Sequence, residues 1–428
     1  MNVLSVLCSL FLPLAYGFPA RQLSPAVSLP FSTSGRDIVT ADGSKFYYAG
    51  TNWPGHQEVM IPEGLQYSSV QDIVSWIVKL GLNSVRLTYA TQMVDEILDQ
   101  GGDVGIGESL VRALGETNGT KVLAQVLEKN KEFTANTTRL EVFDAVAREL
   151  ARQGIILHLD NHVSKAIWCC GNNDGNGWFG EIYFDVDRWI RGWEFMANHA
   201  SENWPSFASV GLRNELRSAT SGEPYDWYTW YQHMTAAAEA VHKAAPNALI
   251  FFSGLNFDTT IQPIPLGQAL NGTDRTATGG KTAYFDPTTF DYAEKIVLEL
   301  HKYDLEHTQL SCSSFGNSLY QVGFLAVDDQ NPETKFLFPV VLTEWGFAQD
   351  GVYWNSTTYN RCLIEFVDYW KVGWFQWELS GSFYVRTRSG VSIQDEGETW
   401  GLLNHEWNAV RSPVTVENSL QKMIDALS

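Results

Sequence analysis

Basic residues are scarce in this chain. Its 428 residues carry 29 Lys and Arg against 49 Asp and Glu, a formal charge of −20. That acidic excess argues against nucleic acid and anionic membrane as partners; it suits an uncharged ligand in an acidic medium, or solubility alone. Beyond the N-terminus no stretch is long and apolar enough to span a bilayer. No Ser/Thr/Pro linker, internal repeat or cysteine-rich module interrupts the chain, so one large domain is expected. Charged residues reach only 18%, whereas aromatics make up 13%, with 16 Trp, 17 Tyr and 23 Phe. This is the profile of a folded, aromatic-rich protein, not of a disordered one.

Residues 1–17 read as a secretory signal. Val3 to Ala15 is mostly apolar and Ala15-Tyr16-Gly17 offers small residues for cleavage, although no Lys or Arg precedes the apolar run. Four Asn-x-Ser/Thr sequons, at Asn118, Asn136, Asn271 and Asn355, agree with an extracellular glycoprotein. Of the five cysteines, Cys8 leaves with the signal, and Cys169, Cys170, Cys312 and Cys362 remain. An oxidising compartment implies two disulfides with three possible connectivities. The expected bridge is Cys312 with Cys362, with Cys169 and Cys170 either joined to each other or free. Adjacent cysteines are poor metal-ligand spacing.

Residues 18–35 read as a disordered or post-signal segment, and 36–428 as the folded domain. Strand-like runs fall at 46–50, 84–88, 155–160, 209–213, 248–253, 295–300, 339–343 and 374–377, with helical patterns at 69–80, 140–153, 187–203, 227–244 and 358–371. Several strands are apolar without alternation, as expected when helices cover one face and a packed interior fills the other. Eight strands separated by helices predict an α/β protein, a single-domain (β/α)8 TIM barrel with long rim loops. The helical signal after the fifth and sixth strands is faint, which keeps an open doubly wound sheet as the alternative.

In a barrel of this kind, reactive groups sit at the C-terminal strand ends. Those ends hold Arg86, His162, Asn214-Glu215, His301 with Tyr303, Glu344 and Trp377. Val210-Gly211-Leu212-Arg213-Asn214-Glu215 and Val340-Val341-Leu342-Thr343-Glu344-Trp345-Gly346 are apolar runs that each end in a glutamate. Cleaving a glycosidic bond requires two carboxyl groups, one protonated to help the leaving oxygen and one ionised to attack or to activate water. Arg86 is placed to keep one of them ionised. His301 or Tyr303 would orient a carboxylate, and Trp377 offers a flat apolar floor for a pyranose. Singly, each has an ordinary explanation: a surface salt bridge for Arg86, a satisfied core histidine for His301, core filler for Trp377. As a set at successive strand ends they do not. Glu378 is expected to point the other way along its strand, and Glu299 to serve the helix layer or a salt bridge.

These motifs resemble glycoside hydrolase family 5, the cellulase-type retaining enzymes. Leu212-Arg213-Asn214-Glu215 is similar to the family's Asn-Glu acid/base motif, and Leu342-Thr343-Glu344-Trp345-Gly346 to its nucleophile motif. Arg86, Asp160-Asn161-His162, His301-Lys302-Tyr303 and Trp377 match its other strand-end residues, over about residues 46–423. The resemblance implies double displacement, with Glu344 as nucleophile and Glu215 as acid and then base. Asn214 would bind the sugar 2-hydroxyl, and no metal or other cofactor would be needed. It implies a neutral β-linked glycan, β-1,4-glucan first, for a monomeric secreted enzyme. Exo action on short glycosides such as rutinosides, or on β-1,6- or β-1,3-glucan, is the alternative. A Gly/Asn-rich loop with Trp168, Cys169, Cys170, Trp178 and Phe179 resembles the plant and fungal branch, and Trp178 is expected to wall a subsite. A second long loop, 381–401, could turn a cleft into a pocket. Two rival classes remain: a metal-dependent hydrolase built on His158, Asp160 and His162, and a non-catalytic carbohydrate-binding wall protein, for which two acids at strand ends would have no use.

Overall fold

The computed structural model describes residues 27–273, 279–304, 309–388 and 390–428. The expected signal segment lies outside them. Three short strands, β1 (Ser32–Ser34), β2 (Asp37–Val39) and β3 (Lys45–Phe46), form an antiparallel sheet. Ile38 and Phe46 of this sheet, with Phe31 just before it, pack in one buried cluster with Ile156, Leu249, Val297 and Val341, from the beginnings of barrel strands. The sheet therefore closes the barrel at its N-terminal end. This corrects two expectations. Residues 31–34 belong to the folded part, and Lys45–Phe46 is a strand of the cap, while the first barrel strand begins later.

The barrel strands are β4 (Ala49–Trp53), β5 (Ser84–Ala90), β6 (Ile156–Val163), β7 (Phe207–Gly211) and β8 (Leu249–Ser253). A two-stranded hairpin, β9 (Leu270–Asn271) and β10 (Thr282–Ala283), precedes β11 (Ile296–Tyr303), β12 (Val340–Gly346) and β13 (Trp374–Gln376). The eight long strands pair in parallel and close in the order β11-β12-β13-β4-β5-β6-β7-β8. Alternate residues serve two cores. Leu249 and Phe251 face the barrel interior, whereas Ile250 and Phe252 join the outer cluster under the helices. Both faces are dry, which is why these strands read as unbroken apolar runs.

Helices α1 (Val70–Lys79), α2 (Thr91–Gln100), α3 (Ile106–Leu114), α4 (Glu116–Lys129), α5 (Arg139–Arg152), α6 (Val186–Asn203), α7 (Trp227–Ala244), α8 (Cys312–Val322) and α9 (Tyr359–Trp370) surround the barrel. Their starts follow local chemistry. Ser69 accepts from the Asp72 amide, and Thr138 and Glu141 form a capping box at α5. Three helices, α2 to α4, fill residues 91–129, where no pattern was read. The faint regions resolve differently: among the described residues no α-helix lies between β8 and β11, whereas α8 follows β11 and is bridged to α9 by Cys312–Cys362. The 381–401 loop is an antiparallel hairpin of β14 (Ser382–Arg388) and β15 (Val391–Gly397).

Candidate active site

Glu344 reaches the mouth through a break in the pleat. Leu300 pairs with Leu342, but the next pair is His301 with Glu344, so Thr343 is an extra residue in β12. Such a bulge re-aims the side chain that follows it. A similar break between Tyr89–Asn161 and Ala90–Val163 makes His162 the extra residue of β6, and its Nδ1 lies 2.7 Å from Asp160 Oδ2. Glu215 stands just past β7 in a left-handed conformation, φ +47°, which is uncommon for a side chain of this size. Two contacts hold it there. Its N–H donates to Asp258 Oδ2 at 2.8 Å, and its carbonyl accepts from Arg217 Nη1 at 2.8 Å.

These turns bring the two glutamates face to face. One oxygen of each, together with a nitrogen of His301, lies within 4.8 Å of the others. His301 Nδ1 is 3.1 Å from Glu215 Oε1 and 3.5 Å from Glu344 Oε2. Tyr303 donates to Glu344 Oε2 at 2.7 Å. Arg86 is fully buried and donates through Nη1 to Glu344 Oε1 at 2.8 Å and to Asn52 Oδ1 at 2.9 Å. Its Nη2 donates to Asp160 Oδ1 at 2.8 Å and Asn214 Oδ1 at 2.9 Å. The guanidinium thus fixes Asn214 with its amide Nδ2 turned to His162 Nε2, 3.4 Å away, and to the loop beyond β6.

The electrostatics separate the two acids. Burial pushes the Glu215 carboxyl up to about 7, against the pull of Arg217 and Arg86. Burial also raises Glu344, opposed by His301, by Arg86 and by the Tyr303 hydrogen bond. With Arg86 and Tyr303 each donating to one of its oxygens, Glu344 is the better-supported anion. His301 is lowered to about 4 by burial and is neutral at ordinary pH. Loss of water on burial is the largest cause of the rise at Glu215.

The cavity above these groups measures about 500 Å³, within the range of small-molecule sites. Trp377 lines it and stacks on His162, with ring centres 5.3 Å apart. Gly346 permits the fit, since a Cβ there would stand 2.4 Å from the Trp377 carbonyl oxygen. His162, Asn214, Glu215, Tyr303 and Glu344 also line the cavity; Arg86 and His301 act from beneath. Trp178 does not belong. It is fully buried against Phe179 and Tyr225, with its indole N–H donating to the Pro224 carbonyl. The aromatic walls are Trp168 from the same loop and Trp400 beyond the hairpin. Spacing alone does not tell which tryptophan of a Gly/Asn-rich loop turns inward.

Several contributors carry little sequence signal: Asn52 on β4, Asp258 in the turn after β8, and Arg386 on β14. Arg386 lies 3.8 Å over the Trp168 ring and 3.9 Å over Phe383, and pairs with Glu398. Glu299 needs correction as well. It is buried inside the barrel near Gly211 and Arg86, away from the helix layer, and burial drives its pKa up. Glu378 is buried too and does not line the cavity.

Among the described residues, two groups have three metal-ligand atoms within 4.8 Å: Glu215–His301–Glu344 and Cys169–Cys170–Glu215. In the first, Arg86 and Tyr303 already occupy the Glu344 oxygens; in the second, the sulfurs are bonded to each other and offer no thiolate. The triad once considered at β6 is dispersed. His158 Nδ1 pairs with Ser209, whereas Asp160 turns to Arg86 and His162.

Comparison with known proteins agrees with the barrel fold. A family model described as cellulase (glycosyl hydrolase family 5) matches residues 39–382. A glycosyl hydrolase 5 family protein of Chamaecyparis obtusa is 31% identical over 91% of this chain, and the match spans 65% of that relative's length. An endoglucanase of Paenibacillus polymyxa is 21% identical over 93% of the chain and 88% of its own. The catalytic domain of the major endoglucanase of Xanthomonas campestris pv. campestris superposes with a TM-score of 0.65 at 16% identity, over 93% of this chain and 99% of that one. An endocellulase from Pyrococcus horikoshii, in a complex with cellotetraose, superposes with a TM-score of 0.63 at 17% identity, over 95% and 100%. The chain belongs to glycosyl hydrolase family 5.

Proposed function

We propose that this protein is a retaining β-glycoside hydrolase acting by double displacement. The observation that carries the reading is the separation of Glu215 and Glu344, whose facing oxygens lie within 4.8 Å. Inverting enzymes hold their carboxyl groups about 6.5–9.5 Å apart to admit a water, and retaining ones about 5–5.5 Å. Glu344, charged and steadied by Arg86 and Tyr303, attacks the anomeric carbon. Glu215 is protonated below about 7 and gives its proton to the leaving oxygen. Once Glu344 is esterified its charge is gone, Glu215 loses a repelling neighbour, and it takes the proton of the incoming water. Asn214, fixed by Arg86, presents its amide to the sugar 2-hydroxyl, and Trp377 supports the ring.

The substrate we favour is a neutral β-1,4-glucan, supported by the endoglucanases among the similar proteins. A second reading has its own support. The β14–β15 hairpin stands over the site and contributes Arg386, Arg388 and Glu396 to the cavity lining, with Glu398 from just beyond it. A walled cavity favours chain ends or short glycosides over the middle of a polymer. We also place the enzyme outside the cell, since all four sequon asparagines are exposed and both cysteine pairs are joined. No helix of the described residues is long and apolar enough to cross a membrane. Product analysis on β-1,4-, β-1,3- and β-1,6-glucans, mannans and aryl and flavonoid diglycosides tests the choice. A fluoro-sugar that labels any residue other than Glu344 sinks the roles assigned.

A further inference from the structure

Cys169 and Cys170 are joined to each other, and both line the cavity. Asn214 Nδ2 points at them, 3.6 Å from Cys169 Sγ and 3.5 Å from Cys170 Sγ. Both sulfurs also stand within 4.8 Å of one Glu215 carboxylate oxygen. The pair is thus an uncharged surface lying beside both the catalytic acid and the amide assigned to the 2-hydroxyl. A disulfide carries no charge and is at best a weak acceptor, while divalent sulfur is soft and polarizable. Its complement is an apolar surface, and on a neutral sugar that is the C–H side of the ring.

The neighbouring loop is built to hold this surface still. Asn176 Oδ1 accepts from the Ser164 and Lys165 amides at 3.0 and 2.8 Å, and Asp174 Oδ2 accepts from the Gly171 amide at 2.8 Å. Arg217 ties the loop to the acid. It donates to the Gly171 carbonyl at 2.9 Å, to Asp174 Oδ2 at 2.6 Å and to the Glu215 carbonyl at 2.8 Å. Next to the pair in the chain, Trp168 meets Trp377 edge-on with centres 6.2 Å apart. The sugar space beside Asn214 is therefore bounded by indole on one side and by sulfur on another.

We propose that the Cys169–Cys170 disulfide is a substrate-contacting surface of the subsite where the bond is broken, packing against the C–H side of a neutral pyranose. This rests on the glycosidase reading above. Opening the pair turns one bonded surface into two separate thiols that repel one another at van der Waals contact, so the face offered to the sugar changes shape.

The test opens the pair in the native protein with a water-soluble phosphine. The S–S bond breaks, the phosphine is oxidised to its oxide with oxygen from water, and two thiols form. Alkylation followed by peptide mass mapping identifies protein opened at residues 169 and 170 with Cys312–Cys362 intact. Both this form and the Cys169→Ala/Cys170→Ala variant should raise KM for an activated aryl β-glycoside about tenfold, with kcat within about twofold and the pH profile unmoved. Cello-oligosaccharide binding to Glu344→Gln protein, followed by calorimetry, should weaken by a similar factor when the pair is opened.

Unchanged KM and unchanged binding in both forms overturn the proposal. So does a fall in kcat with a displaced pH profile at constant KM, since the disulfide would then only hold the loop that positions Glu215. Free thiols at both positions in untreated protein also refute it. If the wild type binds these sugars more tightly with the pair closed yet turns over no β-glycoside, the surface stands and the hydrolase reading falls.

Discussion

On the proposed mechanism Glu215 must carry a proton to release a poor leaving group, and burial holds its carboxyl at about 7 against an ordinary 4.5. That displacement means that the ionised form is disfavoured by about 3 kcal/mol relative to the same group in water. A raised carboxyl is protonated below its displaced value and loses its proton as pH rises through it. For a cello-oligosaccharide, whose leaving group needs the proton, kcat/KM should be level between pH 5.5 and 6.5 and fall roughly tenfold per unit above pH 7. A dinitrophenyl β-glycoside leaves unaided, so its glycosylation step should lack this alkaline limb. Glu215→Gln should cost about 10²–10⁴-fold on the oligosaccharide, far less in glycosylation by the dinitrophenyl substrate, and remove the alkaline limb. Initial-rate profiles on both substrates, with pre-steady-state bursts on the second, read all of this. An alkaline limb surviving in Glu215→Gln, or identical limbs for both substrates, refutes the assignment of the acid.

Three further outcomes are expected. Tyr303→Phe removes the 2.7 Å hydrogen bond to Glu344 Oε2, and at about 1.5–3 kcal/mol for a bond to a charged group kcat/KM should fall about ten- to hundredfold; an unchanged value by steady-state kinetics contradicts that role. Removing the Cys312–Cys362 bridge, which spans 50 residues, should destabilise the fold by about 4 kcal/mol if loop closure sets its worth, measured by denaturant unfolding of Cys312→Ala/Cys362→Ala. Thermal stability should decline from pH 6.5 to 8. Over that window the raised carboxyls of Glu63, Glu215, Glu299 and Glu378 bind protons in the fold that the unfolded chain has released. The lowered histidines His56, His158 and His162 act below about 6.5 and with opposite sign. Glu299→Gln should flatten the decline in a calorimetric pH series, and a slope equal to that of the wild type would exclude Glu299 as a source.

The barrel was readable because each strand is buried on both faces, which writes a local apolar run into the chain. The strand-end polar groups were readable for the same reason, standing out where each run stops. Trp178 shows where that ends, since an inward and a buried tryptophan look alike in a Gly/Asn-rich loop. Asp258 shows it too. It follows Asn256 and Phe257 in three consecutive left-handed residues, and only there does its carboxylate meet the Glu215 amide. Glu299 was misjudged because strand alternation gives two faces without saying which is the interior, and the interior of this barrel is polar beneath the site.

By itself the chain therefore determined which elements form and which side chains stand at their ends, since burial, capping and period act over a few residues. The tertiary structure decided how those ends are aimed. The extra residues Thr343 and His162 exist only relative to the neighbouring strand. The hold on Glu215 comes from Asp258, 43 residues away, and that on Glu344 from Arg86, 258 residues away. The joining of Cys169 to Cys170 could be imagined from adjacency, but its place on the wall of the cavity required the loop to fold over Asn214. Register and facing are relations between segments distant in sequence, and closing the barrel is what sets them.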